Sequence, residues 1–272
     1  KANFPNLTLW MSDPTWPNHP NIFTASGVPL RLLPKDINGV RIIGIDVPGF
    51  GIPTHAEAVI RYEKAMRERN RLLKDMVRDA HWYTVLEQQM ATAGAEVTAN
   101  RQTAIDALTV AQDTAATSFP TATLSLTNAN PLTHETADSY LQALVDGRPR
   151  DMSAGRTLSG AHRADLTAVF ADKGVDAKDC STGEQKALLI SLILANGRAL
   201  TDSFGAPPIL LLDEVAAHLD ATRRAALYDE ICALKAQAWM TGTGPELFAE
   251  LGARAQHIEV RENAGASEVI LP

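Results

Sequence analysis

C-S-T-G-E-Q-K (Cys180 to Lys186), I-L-L-L-D-E (Ile209 to Glu214) and A-H-L-D (Ala217 to Asp220) succeed one another in a single stretch, and their order decides the reading of this chain. Ser-Thr-Gly just before an apolar helical pattern reads as an N-cap, whose first-turn N–H groups can face an anion. The helical pattern breaks at Gly205-Ala206-Pro207-Pro208. Four apolar residues then run into the adjacent carboxylates Asp213 and Glu214, the pattern of a buried parallel strand delivering charge at its C-terminal edge. Asp213-Glu214 alone is an ordinary strand end with solvated acids; the ordered set of three elements is a far narrower pattern.

The rest of the composition bounds the reading. A chain of 272 residues has room for one or two domains and a sizeable core. Its hydrophobic share of 45% and charged share of 21% are those of a globular protein. A net charge of −7 excludes a surface that is basic all over, so any nucleic-acid contact must use a local patch. Two cysteines, Cys180 and Cys232, make neither a disulfide framework nor a metal cluster, which suits a reducing cytoplasm. The longest apolar run, Leu188 to Ala195, is too short to span a bilayer, and no signal peptide is visible.

Residues 1–53 differ in texture from the remainder of the chain. Trp10 and Trp16 stand among Pro5, Pro14, Pro17 and Pro20, so regular structure there should be short and broken. The run from Trp10 to Phe23 resembles a segment of fold-type I aminotransferases, in which the Trp matching Trp16 lies against the pyridoxal ring. No lysine-bearing motif of that family occurs later in the chain, so aminotransferase activity is not expected. V-R-I-I-G-I-D-V-P-G-F-G (Val40 to Gly51) reads as a buried strand and a Gly/Pro turn, weakly similar to an early strand-turn of α/β-hydrolases. No G-x-S-x-G elbow comes after it.

From Thr54 the pattern is helical, with Thr54 and Glu57 spaced as a capping box. At about 100° per residue, Val59, Tyr62, Ala65, Met66, Leu72, Leu73, Met76 and Val77 fall on one side, and Lys64, Arg67, Arg71, Lys74 and Arg78 form a stripe on the other. Such a stripe is ordinarily a solvated face; on an acidic protein it is also a candidate track for phosphates. A second helical pattern, from Trp82 to Ala116 and loosened near Gly94, offers Val85, Leu86, Met90, Val97, Ile105 and Leu108 to an antiparallel partner. After Phe119-Pro120, Thr121 to Thr127 alternates as a strand and Asn128 to Pro131 turns the chain. Thr133 to Val145 reads as a short helix broken by Gly147-Arg148-Pro149. His162 reads as a hydrogen-bonded structural residue, since no second His or Cys stands at metal spacing.

The signature-like loop, the acid-ended strand and A-H-L-D are similar to the second half of an ABC-type ATPase. Together with Y-E-K-A-M-R-E-R-N-R-L-L (Tyr62 to Leu73), S-G-A-H-R-A-D-L (Ser159 to Leu166) and M-T-G-T (Met240 to Thr243), they resemble the RecF family over residues 54–272. That resemblance implies an α/β ABC-type ATPase carboxy-terminal lobe with a helical, coiled-coil-like arm. It also implies a DNA replication and recombinational repair role, with ATP and Mg²⁺ as cofactors. Its implied partners are DNA at gaps or single-/double-strand junctions, RecR, RecO and a second copy of the chain in an ATP-dependent homodimer. Carried over by residue, Ser181 and Gly183 contact the γ-phosphate held by the opposite subunit, Asp213 helps hold Mg²⁺, Glu214 polarises the attacking water and Asp220 lies across the dimer. Phosphoryl transfer needs such positioned donors and a metal more than covalent help.

The departures are specific. No G-x-x-x-x-G-K-[ST] occurs in the sequence, so the Walker A half, with its backbone nest and lysine, is missing from these residues. Cys180 stands where many ABC signatures carry Leu, and Thr241 or Thr243 stands near the switch His of transporters. The expectation is therefore a RecF-like protein truncated or composite at its amino end. Its parts would be 1–53 as a segment unlike RecF, 54–118 as the arm and 119–272 as the lobe. The alternative is a non-hydrolysing dimerisation module that uses the signature face. Strands are expected near Leu166 to Phe170, Ile209 to Leu212, Ala238 to Met240, His257 to Val260 and Glu268 to Leu271, with helices after Thr182, Ala221 and Gly244.

Overall fold

Helix α1 (Thr54–Lys74) and helix α2 (Ala80–Asp113) run through the region that carries most of the described structure. The computed structural model describes residues 9–11, 30–32, 54–128, 136–217, 219–263 and 266–270. Contacts divide the chain into two units, Lys1–Val47 and Pro48–Pro272. In the first, β1 (Leu9–Met11) and β2 (Leu30–Leu32) form a parallel pair. The strand-and-turn expected over Val40 to Gly51 and the turn expected after Asn128 lie outside the described residues.

The second unit is built around α2, which Asp79 caps by accepting from the His81 N–H at 2.9 Å. At about 1.5 Å per residue its 34 residues span roughly 50 Å. Its first half packs Met90, Ala91, Ala93 and Val97 against Ala58, Tyr62 and Ala65 of α1 and Tyr140 and Leu144 of α3 (Ala137–Ala154). Its second half gives Ile105 to a cluster with Ala122, Leu124, Phe170 and Leu188, and Ala111 to a close contact with Ala195 and Ala199. Gln112 pins it further: its side chain donates to the Ala122 carbonyl and accepts from the Ala122 N–H.

Three expectations about this region need correction. No loosening occurs at Gly94: the helix runs straight through it, and glycine is there because a Cβ would meet the Tyr140 ring at 2.6 Å. Helix α3 is not broken at Gly147-Arg148-Pro149 but continues to Ala154, with Pro149 inside it. Pro149 is exposed, so the carbonyl it orphans one turn back can turn to water, while Arg148 and Asp151 are held on the inner side by Glu87 and Arg69. Val85 is also exposed rather than facing a partner helix; Tyr83 and Glu87 take the buried positions instead.

Strand β3 (Ala122–Asn128) pairs antiparallel with β4 (Ala164–Phe170) along its whole length, and the two-residue β5 (Val175–Asp176) adds to β4. Helix α4 (Thr182–Phe204) lies between this sheet and a second, parallel pair, β6 (Leu210–Leu212) and β7 (Ala238–Met240). The β6–β7 crossover is α5 (Ala221–Ala233). Ala187, Ile190 and Leu194 of α4 meet Leu210 and Leu212 of β6 and Leu227, Tyr228 and Ile231 of α5 in the main core. The segment after Gly244 is a kinked 3₁₀ helix, Pro245–Arg254, tied to α5 by a two-pronged Arg224–Glu250 pair, by Arg254–Asp229 and by the Tyr228 hydroxyl on the Leu247 carbonyl. A hairpin of β8 (Glu259–Asn263) and β9 (Ala266–Ile270) ends the described chain.

Candidate functional site

The end of β6 is a knot of three residues. The Thr241 hydroxyl donates to Asp213 Oδ1 at 2.5 Å and accepts the Glu214 N–H at 3.0 Å, while the Thr241 N–H bonds the Leu212 carbonyl. Thus β7 orients both acids that β6 delivers. Both carboxylates are exposed, and Glu214 has φ +48. Among the described residues, the other non-glycine positions with positive φ, Met76 and Lys235, lie just past the ends of α1 and α5, where left-handed caps are common. Glu214 has no such excuse; a left-handed L-residue costs about 1–2 kcal/mol, and outliers of this kind gather at functional sites. Of the two threonines expected near the switch position, Thr241 makes these contacts and Thr243 is simply exposed.

Ser181 caps α4. Glu184 reaches back to accept both the Ser181 N–H, at 2.9 Å, and its hydroxyl, at 2.7 Å, and takes a third bond from Lys173. These donors, Lys173 first, hold the Glu184 carboxyl down at about 2. Gln185 closes the preceding turn on the carbonyls of Lys178 and Cys180. Cys180 packs with the Leu124–Phe170–Leu188 cluster, so it fills an apolar position as Leu would.

Asp220 caps α5 by accepting the Arg223 N–H at 2.8 Å. The same Arg223 reaches back towards α4: a Cβ built on Gly183 would lie 3.8 Å from its guanidinium. One arginine therefore links the Gly183 turn to the Asp220 turn. Asp213, Glu214 and Thr241 form one group, and Gly183, Arg223 and Asp220 another.

Lys64, Arg67, Arg71 and Lys74 lie exposed along α1, as the spacing predicts. Arg67 spends part of its charge on Glu63, 3.4 Å away. Arg78 departs from the expected helix stripe, because α1 ends at Lys74 and Arg78 sits in the turn before α2.

Sequence reasoning missed Arg69, which is fully buried. Its guanidinium donates to Glu87 (3.0 Å), Asp151 (2.7 Å), Thr157 Oγ1 (2.8 Å) and the Leu144 carbonyl (3.1 Å). Arg148 adds a second cation to Glu87 and stacks 5.0 Å over the Tyr83 ring. The available signal was an arginine on the apolar side of α1, in step with Tyr62, Ala65 and Leu73. Nearby, the Ala161 N–H donates to Tyr140, Tyr140 to Tyr62 and Tyr62 meets His162 Nδ1 at 2.8 Å. The other ring nitrogen meets the Thr157 carbonyl, so Nε2 carries the proton and Nδ1 accepts. Burial pushes both phenols up and His162 down, which keeps the whole chain of hydroxyls and imidazole neutral.

Among the described residues, no three His, Cys, Asp or Glu side chains are grouped to hold a metal ion, and no helix is long and apolar enough to cross a membrane. Asp213 with a neighbouring hydroxyl suits an ion that is held mainly by waters and phosphates, as Mg²⁺ usually is, rather than a protein-only cage.

No protein-family model matches the chain. It is similar to "DNA replication and repair protein RecF" of Rhizobium meliloti strain 1021, at 43% identity over 215 residues, covering 76% of this chain and 58% of that protein. RecF of Rhizobium rhizogenes strain K84 matches at 45%, covering 76% and 57%, and RecF of Agrobacterium fabrum strain C58 at 46% with the same coverage. The chain thus spans somewhat under three fifths of the length of these relatives. Among solved structures, the recombination mediator protein RecF with ATP, from the RecFOR pathway, matches with a TM-score of 0.60 at 18% identity. That match covers 80% of this chain and 59% of the other, and shows a shared fold. By sequence relatedness and by fold, the chain is homologous to RecF proteins and corresponds to their carboxy-terminal portion.

Proposed function

We propose that residues 54–272 act as the carboxy-terminal ATPase half of a RecF-type DNA replication and recombinational repair protein. The observation that carries this is the knot at the end of β6, where Thr241 orients Asp213 and Glu214 and Glu214 holds a strained backbone. Glu214 is the residue that polarises the attacking water, and Asp213 holds Mg²⁺ through water; the ion supplies charge neutralisation when bound with nucleotide. The Ser181–Gly183 turn offers the N–H groups of the α4 N-terminus to the γ-phosphate of ATP held by a second copy of the chain. Asp220 stands beside it through Arg223 and faces the same dimer interface. Lys64, Arg67, Arg71 and Lys74 track DNA phosphates at gaps or single-/double-strand junctions, with RecR and RecO as protein partners in the cytoplasm.

A chimera tests this: residues 54–272 joined to the amino-terminal portion of Agrobacterium fabrum RecF. ATP turnover that disappears in Glu214→Gln and falls in Thr241→Val supports the assignment. A folded chimera whose turnover ignores Glu214→Gln overturns it. The second reading, a non-hydrolysing dimerisation module, draws on the exposed Ser181–Gly183 turn and gains ground if the chimera dimerises with ATP but never turns it over.

A further inference from the structure

A cleft of about 190 Å³ opens between α1 and the loop after α3, residues 155–163. Met66 and Asn70 line one side; Arg156, Thr157, His162 and Arg163 line the other. We propose that this cleft is a phosphate subsite in which Arg156 and Arg163 grip a phosphoryl oxyanion. The source that the proposed function supplies is a nucleic-acid backbone, and the proposal rests on that reading for the source alone.

Uncompensated positive charge gathers at this cleft. Arg61, Arg67, Arg148, Arg224 and Arg254 each meet a carboxylate, whereas Arg156 and Arg163 are exposed and have no ion-pair partner among the described residues. The acid nearest in chemistry, Asp151, is buried and already serves Arg69 and the Leu158 N–H. On the α1 side, a Cβ on Gly155 would lie 4.0 Å from the Lys74 backbone, so the loop leaves α3 against the basic end of α1. Asn70 adds a neutral donor. Its Oδ1 accepts both the N–H and the hydroxyl of Thr157, which leaves Nδ2 with no partner among the described residues. Two guanidinium forks and a carboxamide N–H around one small cavity are the donor set that phosphate oxygens require.

The loop that carries the arginines is also rigid. Gly160 holds φ +135, and the Tyr140 and Tyr62 hydroxyl oxygens occupy the place where a Cβ would stand. The Arg163 N–H closes on the Gly160 carbonyl at 2.8 Å, and both nitrogens of His162 are engaged. A loop bound this tightly fixes the backbone from which both arginines project, so an anion has only their side chains left to order. His162 itself is held neutral and contributes shape rather than charge.

The test compares the full chain with Arg156→Gln/Arg163→Gln, using fluorescence anisotropy of a labelled oligo-dT strand and of a labelled duplex over a salt series. The Gln pair should weaken single-strand binding about tenfold and reduce the salt slope by roughly 1.4, at about 0.7 per lost contact. Arg156→Lys/Arg163→Lys should recover the slope. An unchanged slope in the Gln pair, or a Lys pair that recovers nothing, overturns the proposal. Thermal melting of each variant controls for folding; should the Gln pair unfold, Arg163→Gln alone is expected to remove half the effect. Inorganic phosphate, titrated while the Thr157 and Arg163 amide resonances are followed, separates the two readings. Shifts there without oligonucleotide binding keep the subsite and sink the DNA role. Oligonucleotide binding that Arg156→Gln/Arg163→Gln leaves untouched, with no phosphate shifts, keeps the DNA role and sinks the subsite.

Discussion

Leu211 and Trp239 stand directly opposite each other on β6 and β7, in register, and are 43% and 54% exposed. Their strand neighbours Leu210 and Leu212 are buried in the main core, so this parallel pair is covered on one face and open on the other. Parallel sheets are normally covered on both, and an open apolar face drives association. The chain should therefore self-associate, and Leu211→Glu/Trp239→Lys should shift it towards monomer in light scattering. A sharp monomer peak from the unmodified chain would count against this.

The 272 residues by themselves should show no appreciable ATP turnover, because Asp213 and Glu214 act only on bound nucleotide and no phosphate-loop motif occurs in the sequence. Steady-state assays with and without DNA decide it. Turnover that vanishes in Glu214→Gln would refute the expectation.

Arg69→Met should destabilise the chain by about 3–5 kcal/mol, since it leaves the buried carboxylates Glu87 and Asp151 without their shared cation. Denaturant unfolding measures it. A loss within about 1 kcal/mol, on the order of an exposed ion pair, would mean that Arg148 alone suffices for Glu87.

Glu184, held at about 2 against an ordinary 4.5, is a depressed carboxylate. Its contribution to stability is complete above pH 4.5 and is lost as pH falls towards 2. The unmodified chain should melt above Glu184→Gln at neutral pH, and the two curves of Tm against pH should converge across that window. A constant gap would show that Lys173 and Ser181 do not depend on the charge.

On duplex DNA, Arg67→Glu/Arg71→Glu should lower the salt slope by about two, one for each lost phosphate contact, with little sequence preference. The pairing of Arg67 with Glu63 makes Arg71 the stronger single substitution. Unchanged affinity and slope in the double variant would reduce the stripe to a solvated face.

How much of this was legible depends on where each residue's partners lie. The course from α4 through β6, α5 and β7 could be read because each signal is local: Ser181 before an apolar period, Pro207-Pro208 before an apolar run, Asp220 before the next helix. The arm was legible as helix but not in its interior. Gly147-Arg148-Pro149 looks like a break until Glu87 and Arg69, far off in sequence, are seen to hold Arg148 and Asp151 in helical register. Gly94 looks like a weakness until Tyr140 fills the space above it. Arg69 was passed over for the same reason: a buried cation declares itself only through acids on other helices. At the site, the residue types at the end of β6 were visible, whereas the role of Thr241 depends on β7 lying beside β6, which no local pattern states.

Because α2 contributes one end to the Tyr62–Met90–Tyr140 cluster and the other to clusters with β3 and α4, it is a strut and not a tether. It contains no proline, and its one glycine is locked under a tyrosine ring. Bending would have to break packing at one end or the other. Slow amide exchange should therefore run as a continuous block along its length, and a single cut near its middle should loosen the helical bundle and the sheets together.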